Sequence, residues 1–269
     1  TAASPVVLKS TAVAANSWYG VVVNAGATAA TLANVNLQGG SYGVTSAAPG
    51  SVLSATGVAM TSTSYGFTIN AGTPTLTSVS VTGGQTAVTV NGSAAPTLAS
   101  STILNTLSGG INYYTNGAAL TSNITNTVVS GCGSYGVLAQ ATSGSLTINL
   151  TNDTIHASGS RGVWAYANPG ASTTMNVKNS IVTQQSWGIY RDSCGGTQTI
   201  NTTYSDVWGN TTANYFSASA GAGSFSANPL YVAAPSNLRL TSNSPARFAG
   251  DNAADIGPLP YVSDATPGF

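Results

Sequence analysis

The chain has 269 residues, only 4% of them charged, and a net charge of zero. So few charges and no basic cluster exclude partners held by electrostatics, such as nucleic acid phosphate. No run approaches the ~20 apolar residues of a spanning helix, which excludes helical membrane insertion.

The opening segment "TAASPVVLKSTAVAANS" (Thr1–Ser17) does not begin with Met and carries no amphipathic helix that would cover a first structural unit. With the Ser/Thr/Asn-rich composition, this start fits a mature exported protein. We therefore expect a secreted or cell-surface product.

A short motif then recurs: "WYGV" at Trp18–Val21, "SYGV" at Ser41–Val44, "SYGF" at Ser64–Phe67, "SYGV" at Ser134–Val137, "RGV" at Arg161–Val163 and "WGI" at Trp187–Ile189. Aligned on the small residue, the anchors are Gly20, Gly43, Gly66, Ala87, Gly110, Gly136, Gly162, Gly188 and, weakly, Ala213, about 21 to 26 residues apart. The first and third residues after an anchor are mostly apolar, as in Val88 and Val90 or Val137 and Ala139. That alternation predicts a strand with one buried face. "NAG" and "NG" steps follow as turns, at Asn24–Gly26, Asn70–Gly72, Asn91–Gly92 and Asn116–Gly117. Further short apolar runs complete each unit, such as "TLTSVSV" (Thr75–Val81) and "MNVKNSIV" (Met175–Val182).

A unit of about 24 residues with two or three strands buries its apolar face only against copies of itself. Stacking predicts an all-β solenoid, a parallel β-helix of about eight to nine coils, with adjacent coils ~4.8 Å apart. Each anchor glycine is expected to make a tight corner. The residue before it should form a column of Tyr19, Tyr42, Tyr65, Tyr135, Arg161 and Trp187, with ring stacking and a cation–π contact from Arg161. Asn residues at the opposite corner are expected to form a hydrogen-bonded ladder.

The second and fourth residues after the anchor should point outward. They are small in the early coils (Thr45, Thr68, Thr89) and large from the fifth onward: Tyr114, Leu138, Gln140, Trp164, Tyr166, Tyr190 and Asp192. Tyr114, Trp164, Tyr166, Tyr190 and Asp192 are the candidate glycan contacts, since rings one coil apart suit a polysaccharide. A loop or the tail covering these rings is the competing expectation. The small early positions raise a remote alternative, an ice-binding surface.

Ionisable candidates before the tail are Lys9, Asp153, His156, Arg161, Lys178, Arg191, Asp192 and Asp206. If the chain is an enzyme on a polysaccharide, Asp153, Asp192, Asp206 and Lys178 are the catalytic set. Asp153 and Asp206 fall near one phase with Lys178 between, which reads first as a neutralising column of acid, base and acid. Two carboxylates two coils apart, about 9.6 Å, are marginal for inverting glycoside hydrolysis. No metal-ligand spacing is present, and no cofactor is expected. Cys132 and Cys194 fall two coils apart, beyond disulfide reach, so two free thiols are expected.

The segment "NSIVTQQSWGIY…YSDVWGN…ANY…GSFSANPLYV" (Asn179–Val232) resembles the last coils of bacterial right-handed parallel β-helix repeat proteins of the pectin-lyase-like superfold. The tail "NLRLTSNSPARFAGDNAADIG" (Asn237–Gly257) is similar to their closing motif, matching at Asp255-Ile256-Gly257 and departing at Arg247 and Phe248. The resemblance implies a right-handed coil and a bacterial source, and leaves activity open, because lyases, hydrolases and adhesins share this fold. The proline-rich stretch from Ala233 onward reads as a cap laid over the last coil, which divides the chain into a β-helix over 1–232 and a capping tail over 233–269. We expect a structural or adhesive module that contacts polysaccharide without catalysis. The alternatives are a polysaccharide lyase or glycoside hydrolase, and a fibre subunit associating end to end.

Overall fold

Each turn of the chain supplies three strands, one to each of three sheets. The computed structural model describes residues 4–11, 14, 16–50, 52–117 and 119–263. In the turn that starts with Tyr135–Ala141, that strand lies in a first sheet, Ser145–Thr151 in a second and Thr154–His156 in a third. The next turn repeats the order with Arg161–Ala167, Ser172–Lys178 and Ile181–Thr183. Like strands pair in parallel, giving nine strands in the first and third sheets and eight in the second. The result is the expected parallel β-helix of about eight turns.

The core runs along the axis. Val137, Ala139 and Ala141 from the first sheet meet Leu146, Ile148 and Leu150 from the second and Ile155 from the third, all buried. Each buried Leu, Ile or Val contributes roughly 1.5–3 kcal/mol, and stacking repeats that gain turn after turn.

Two left-handed residues per turn bend the chain between sheets. Between second and third sheets they include Asn34, Gly57, Ser78, Ser100, Asn126, Asn152, Asn179 and Tyr204. Between third and first they include Gly39, Ser62, Gly83, Asn105, Gly131, Ala157, Gln184 and Gly209. Asn is the commonest side chain at the first corner because its short amide tolerates this conformation. Asn152 Nδ2 also donates to Asn126 Oδ1 at 2.6 Å, a step of the expected ladder.

The anchor glycines are not these corners. Gly43, Gly66, Gly110, Gly136, Gly162 and Gly188 lie inside first-sheet strands, aligned in one file with Ala87, and only Gly20 at the first anchor has a positive φ. Close packing is what excludes a side chain. A Cβ on Gly162 would lie 2.7 Å from the Gly188 carbonyl oxygen and 2.7 Å from Val182 Cγ1. The same two kinds of neighbour crowd Gly110 (Gly136 O and Val129) and Gly136 (Gly162 O and Ile155). So the third sheet's inward Val or Ile fills the space each glycine leaves. In the last turn Trp187 pairs with Ala213, so Asn214 rather than Ala213 continues the file.

The column before the anchors is one file but not one stack. Tyr19, Tyr42 and Tyr65 pack with centroids 5.1 and 5.3 Å apart. Thr86 and Gly109 then interrupt the file, and Tyr135 folds over Gly109. The longest amide ladder lies on the second sheet, where Asn123, Asn149, Asn176 and Asn201 are joined by Nδ2–Oδ1 bonds of 2.8, 2.8 and 2.9 Å.

The ends differ. At the start, all four residues of Val6–Lys9 are exposed and, among the described residues, pair on one side only, with Val35–Gln38. At the finish, residues 217–227 run along the last coil, with the Phe225 N–H on Ser205 O and the Val207 N–H on Phe225 O. The chain then turns back. Tyr231–Ala233 and Asn237–Leu240 form an antiparallel hairpin, so the expected boundary at 232 falls inside it. Leu240, Ala246 and Ile256 pack on Ile181. Lys178 pairs with Asp251 at 2.6 Å, and Asn179 O accepts the Gly257 N–H. The tail therefore straps the outer face of the third sheet instead of covering the rod's end. Its footprint is visible in burial: Thr102–Leu104 is half-buried at both outward positions, whereas Val128–Ser130 through Ile181–Thr183 are buried throughout.

Candidate functional site

The large outward residues of the late coils gather on the first sheet. Register sets Asn112, Leu138, Trp164, Tyr190 and Phe216 in one file, with Tyr114, Gln140 and Tyr166 in the file beside it. Trp187 and Tyr135 border them from the anchor side. Because the tail packs on the third sheet, it does not cover these rings. Trp164, Tyr166, Trp187, Tyr190 and Phe216 are all half-buried, and Tyr114 is exposed. Leu138 departs from expectation, since the bulk around it leaves it 2% exposed.

The rings spend much of their surface on one another. Tyr190 and Phe216 stack at 4.6 Å with an 8° angle between planes, and Trp187 meets both edge-on. Trp164 stands perpendicular to Tyr190 at 6.3 Å. Arg161 fills the space between those two, its guanidinium carbon 4.1 Å from the Trp164 ring centre and 4.4 Å from that of Tyr190. The expected cation–π contact therefore exists, but with rings of the neighbouring file rather than Tyr135 and Trp187. Such contacts are worth about 0.5–2 kcal/mol. Arg161 Nε has no hydrogen-bond partner among the described residues. The result is a cation held by its two ring contacts, with Nε buried and a terminal nitrogen facing Ser160 Oγ at 3.5 Å.

Asp192 closes one end of this ledge. Its Oδ2 accepts Trp164 Nε1–H at 3.0 Å, and its Oδ1 accepts the Ser193 N–H at 2.8 Å and the Cys194 thiol at 2.9 Å. Partial burial pushes its pKa up. The bonds from Cys194, Ser193 and Trp164 and the charge of Arg161 outweigh that and hold it below the ordinary carboxylate value. Cys194 is pushed up, first by its bond to Asp192, so it stays a thiol. Four of the five candidate glycan contacts, Trp164, Tyr166, Tyr190 and Asp192, thus share one ledge. Tyr114 lies two turns earlier in the Tyr166 file.

The four residues of the candidate catalytic set are not brought together. Asp192 belongs to the ledge, and Lys178 is paired with the tail's Asp251. Asp153 and Asp206 do not share a file. Asp206 pairs in register with Ile181, whereas Asp153 sits one position earlier in a buried ladder of hydroxyls. There Ser101, Thr127, Ser180 and Ser205 each accept an N–H from the preceding turn, at 3.1–3.4 Å, and donate to a nearby carbonyl. Asp153 accepts the Thr127 N–H at 2.8 Å in the same way. Burial raises its pKa well above normal and raises Asp206 to about 7. The column of acid, base and acid is therefore replaced by a ladder with one acid in a serine's place. Its signal was readable in the later turns: Ser101, Thr127, Ser180 and Ser205 directly follow the second-to-third corners at Ser100, Asn126, Asn179 and Tyr204, where the first three turns have Val35, Val58 and Val79.

Cys132 is buried near Gly110, and Cys194 lies at the surface; both are free. Among the described residues no three His, Cys or acidic side chains gather as a metal site. The sequence pattern described as "Right handed beta helix region" matches residues 19–177. No curated protein and no solved structure matches the chain.

Proposed function

The chain belongs to the right-handed β-helix family, and from that premise we propose that it is a non-catalytic secreted or cell-surface module that holds polysaccharide on the first-sheet ledge. The observation that carries this reading is the Arg161 guanidinium clamped between Trp164 and Tyr190, beside a fixed Asp192. Pre-ordered rings and charged groups lose little entropy on binding. The ring edges offer apolar contact, and Arg161, Asp192 and Tyr166 offer hydrogen bonds to sugar hydroxyls. The low pKa of Asp192 argues against a general acid there, which inverting or retaining hydrolysis requires.

Retention on a panel of insoluble polysaccharides tests this. Trp164→Ala and Tyr190→Ala should each weaken retention about tenfold or more, while Tyr65→Ala, in the early stack, should leave it unchanged. Wild-type protein that no polysaccharide retains would end the proposal. Turnover that disappears with Asp192→Asn would favour the enzyme alternative.

A second reading rests on the second sheet. Its outward side chains form straight files, Thr121–Thr147–Thr174–Thr199 beside the Asn123–Asn201 ladder. Repeated hydroxyls at the strand spacing of ~4.8 Å favour ordered surface water, hence ice adsorption. This array is more regular than the early first-sheet positions. Thermal hysteresis that Thr147→Tyr and Thr174→Tyr abolish would support it, and wild-type protein without hysteresis would dismiss it.

A further inference from the structure

The tail does not lie flush on the third sheet. Between them runs a groove in two lobes, one of about 600 Å³ and one of about 480 Å³, which share Ala157 and Pro235 as a pinch point. Its floor is the file Leu104–Ser130–His156–Thr183–Trp208, the last residue of successive third-sheet strands. Four steps of ~4.8 Å make that floor about 19 Å long. The larger lobe is bounded by Gln184 and Trp208 on one side and by the Asn228–Tyr231 segment on the other.

We propose that this groove is a binding site for a neutral oligosaccharide, separate from the first-sheet ledge and independent of it. The volume falls within the range of small-molecule sites. Among the described residues its lining holds no Lys, Arg, Asp or Glu, so an acidic sugar or phosphate finds no counter-charge. An anion would also approach Asp206, which acts electrostatically on Tyr231 in the wall. The polar groups present are those that neutral hydroxyls require. His156 Nδ1 is fixed to Thr183 Oγ1 at 2.9 Å, which leaves Nε2 available to the groove. Burial lowers the His156 pKa, so the ring is held neutral and its nitrogens serve as one donor and one acceptor. Gln184 and Asn228 are exposed at the rim, and half-buried Trp208 supplies the ring surface at one end. Tyr231 meets His156 edge-on at 5.6 Å, which sets the imidazole's orientation.

His156 is the single histidine of the chain, so its imidazole resonances report this groove alone. Titration with neutral hexasaccharides (cello-, xylo-, manno- and maltohexaose), followed by NMR on the full chain, should give a saturable shift with at least one of them. Trp208→Ala should weaken that binding about tenfold or more. Gln184→Ala, at an exposed rim position, should weaken it about threefold or more. Trp164→Ala on the ledge should leave it unchanged, so failure here and failure of the ledge are read separately. The proposal is overturned if no neutral hexasaccharide shifts His156 saturably up to about 10 mM. It is equally overturned if hexagalacturonate binds as well as the neutral sugars. Loss of the shift in Trp164→Ala with retention in Gln184→Ala would have the same force.

Discussion

Replacing Asp153 with serine is expected to stabilise the protein at pH 8 by roughly 1–3 kcal/mol, although the side chain is 1% exposed. Every other described member of its ladder is a hydroxyl that both accepts and donates. A carboxylate only accepts, and Asp153 Oδ2 is buried without a partner among the described residues. Serine restores the donor and removes the cost of ionising inside the rod. Asp206 extends the argument to the wild-type chain. Its pKa rises from 3.8 unfolded to about 7 folded. Between those values the unfolded state loses its proton while the native state keeps it, so stability falls as pH rises across that window. The ceiling on the loss is about 4 kcal/mol, and Asp153 acts with the same sign. His156 opposes them, because its lowered pKa costs stability below about 6.5. Asp192, held low, opposes them only in stronger acid. The two buried acids should prevail, giving a higher urea midpoint at pH 5 than at pH 8. Asp206→Asn keeps the acceptor for the Ala227 N–H and should flatten the difference. A wild-type midpoint higher at pH 8, or an Asp153→Ser variant less stable there, would refute this account.

The second large effect concerns a glycine. Gly162→Val should destabilise the protein by about 3 kcal/mol or more, at the upper end of core overpacking, even though valine is a better strand former. Gly162→Ala already places a Cβ against the Gly188 carbonyl and Val182. One of these neighbours is backbone held in a paired strand, so it cannot turn aside. Trimming the opposing side chain tests the cause: Val182→Ala should recover part of the stability lost in Gly162→Ala, a coupling visible in a double-mutant cycle. Strictly additive losses would mean that the glycine is needed for another reason.

The glycines also mark where the sequence could be read and where it could not. Stacking places equivalent residues in one file, so Tyr42 and Tyr65 or Val137 and Val163 announce the coil and its phase. Spacing does not reveal why the file needs glycine, because a tight bend and a crowded strand both reject a Cβ. The acids were misplaced by one residue: Asp153 follows the left-handed Asn152 directly, whereas Asp206 comes two after Tyr204. Coil lengths that vary hide an offset that small. The ledge was legible through the size of the outward residues, but the pairing of Tyr190 with Phe216 was not, since alternation gives direction and not ring angle. The tail has no period, hence no register. Nothing in its sequence tells whether it closes the rod or lies along its side.

Both left-handed corners and the glycine file recur once per turn, at intervals of 21 to 27 residues. An insertion of one residue inside a strand would turn every following side chain to the wrong face. Outside the bends, the shortest heritable change of length that keeps the files aligned is therefore a whole turn. Such a gene should lengthen or shorten by duplicating or deleting segments of that size, and drift by single residues in the bends between sheets.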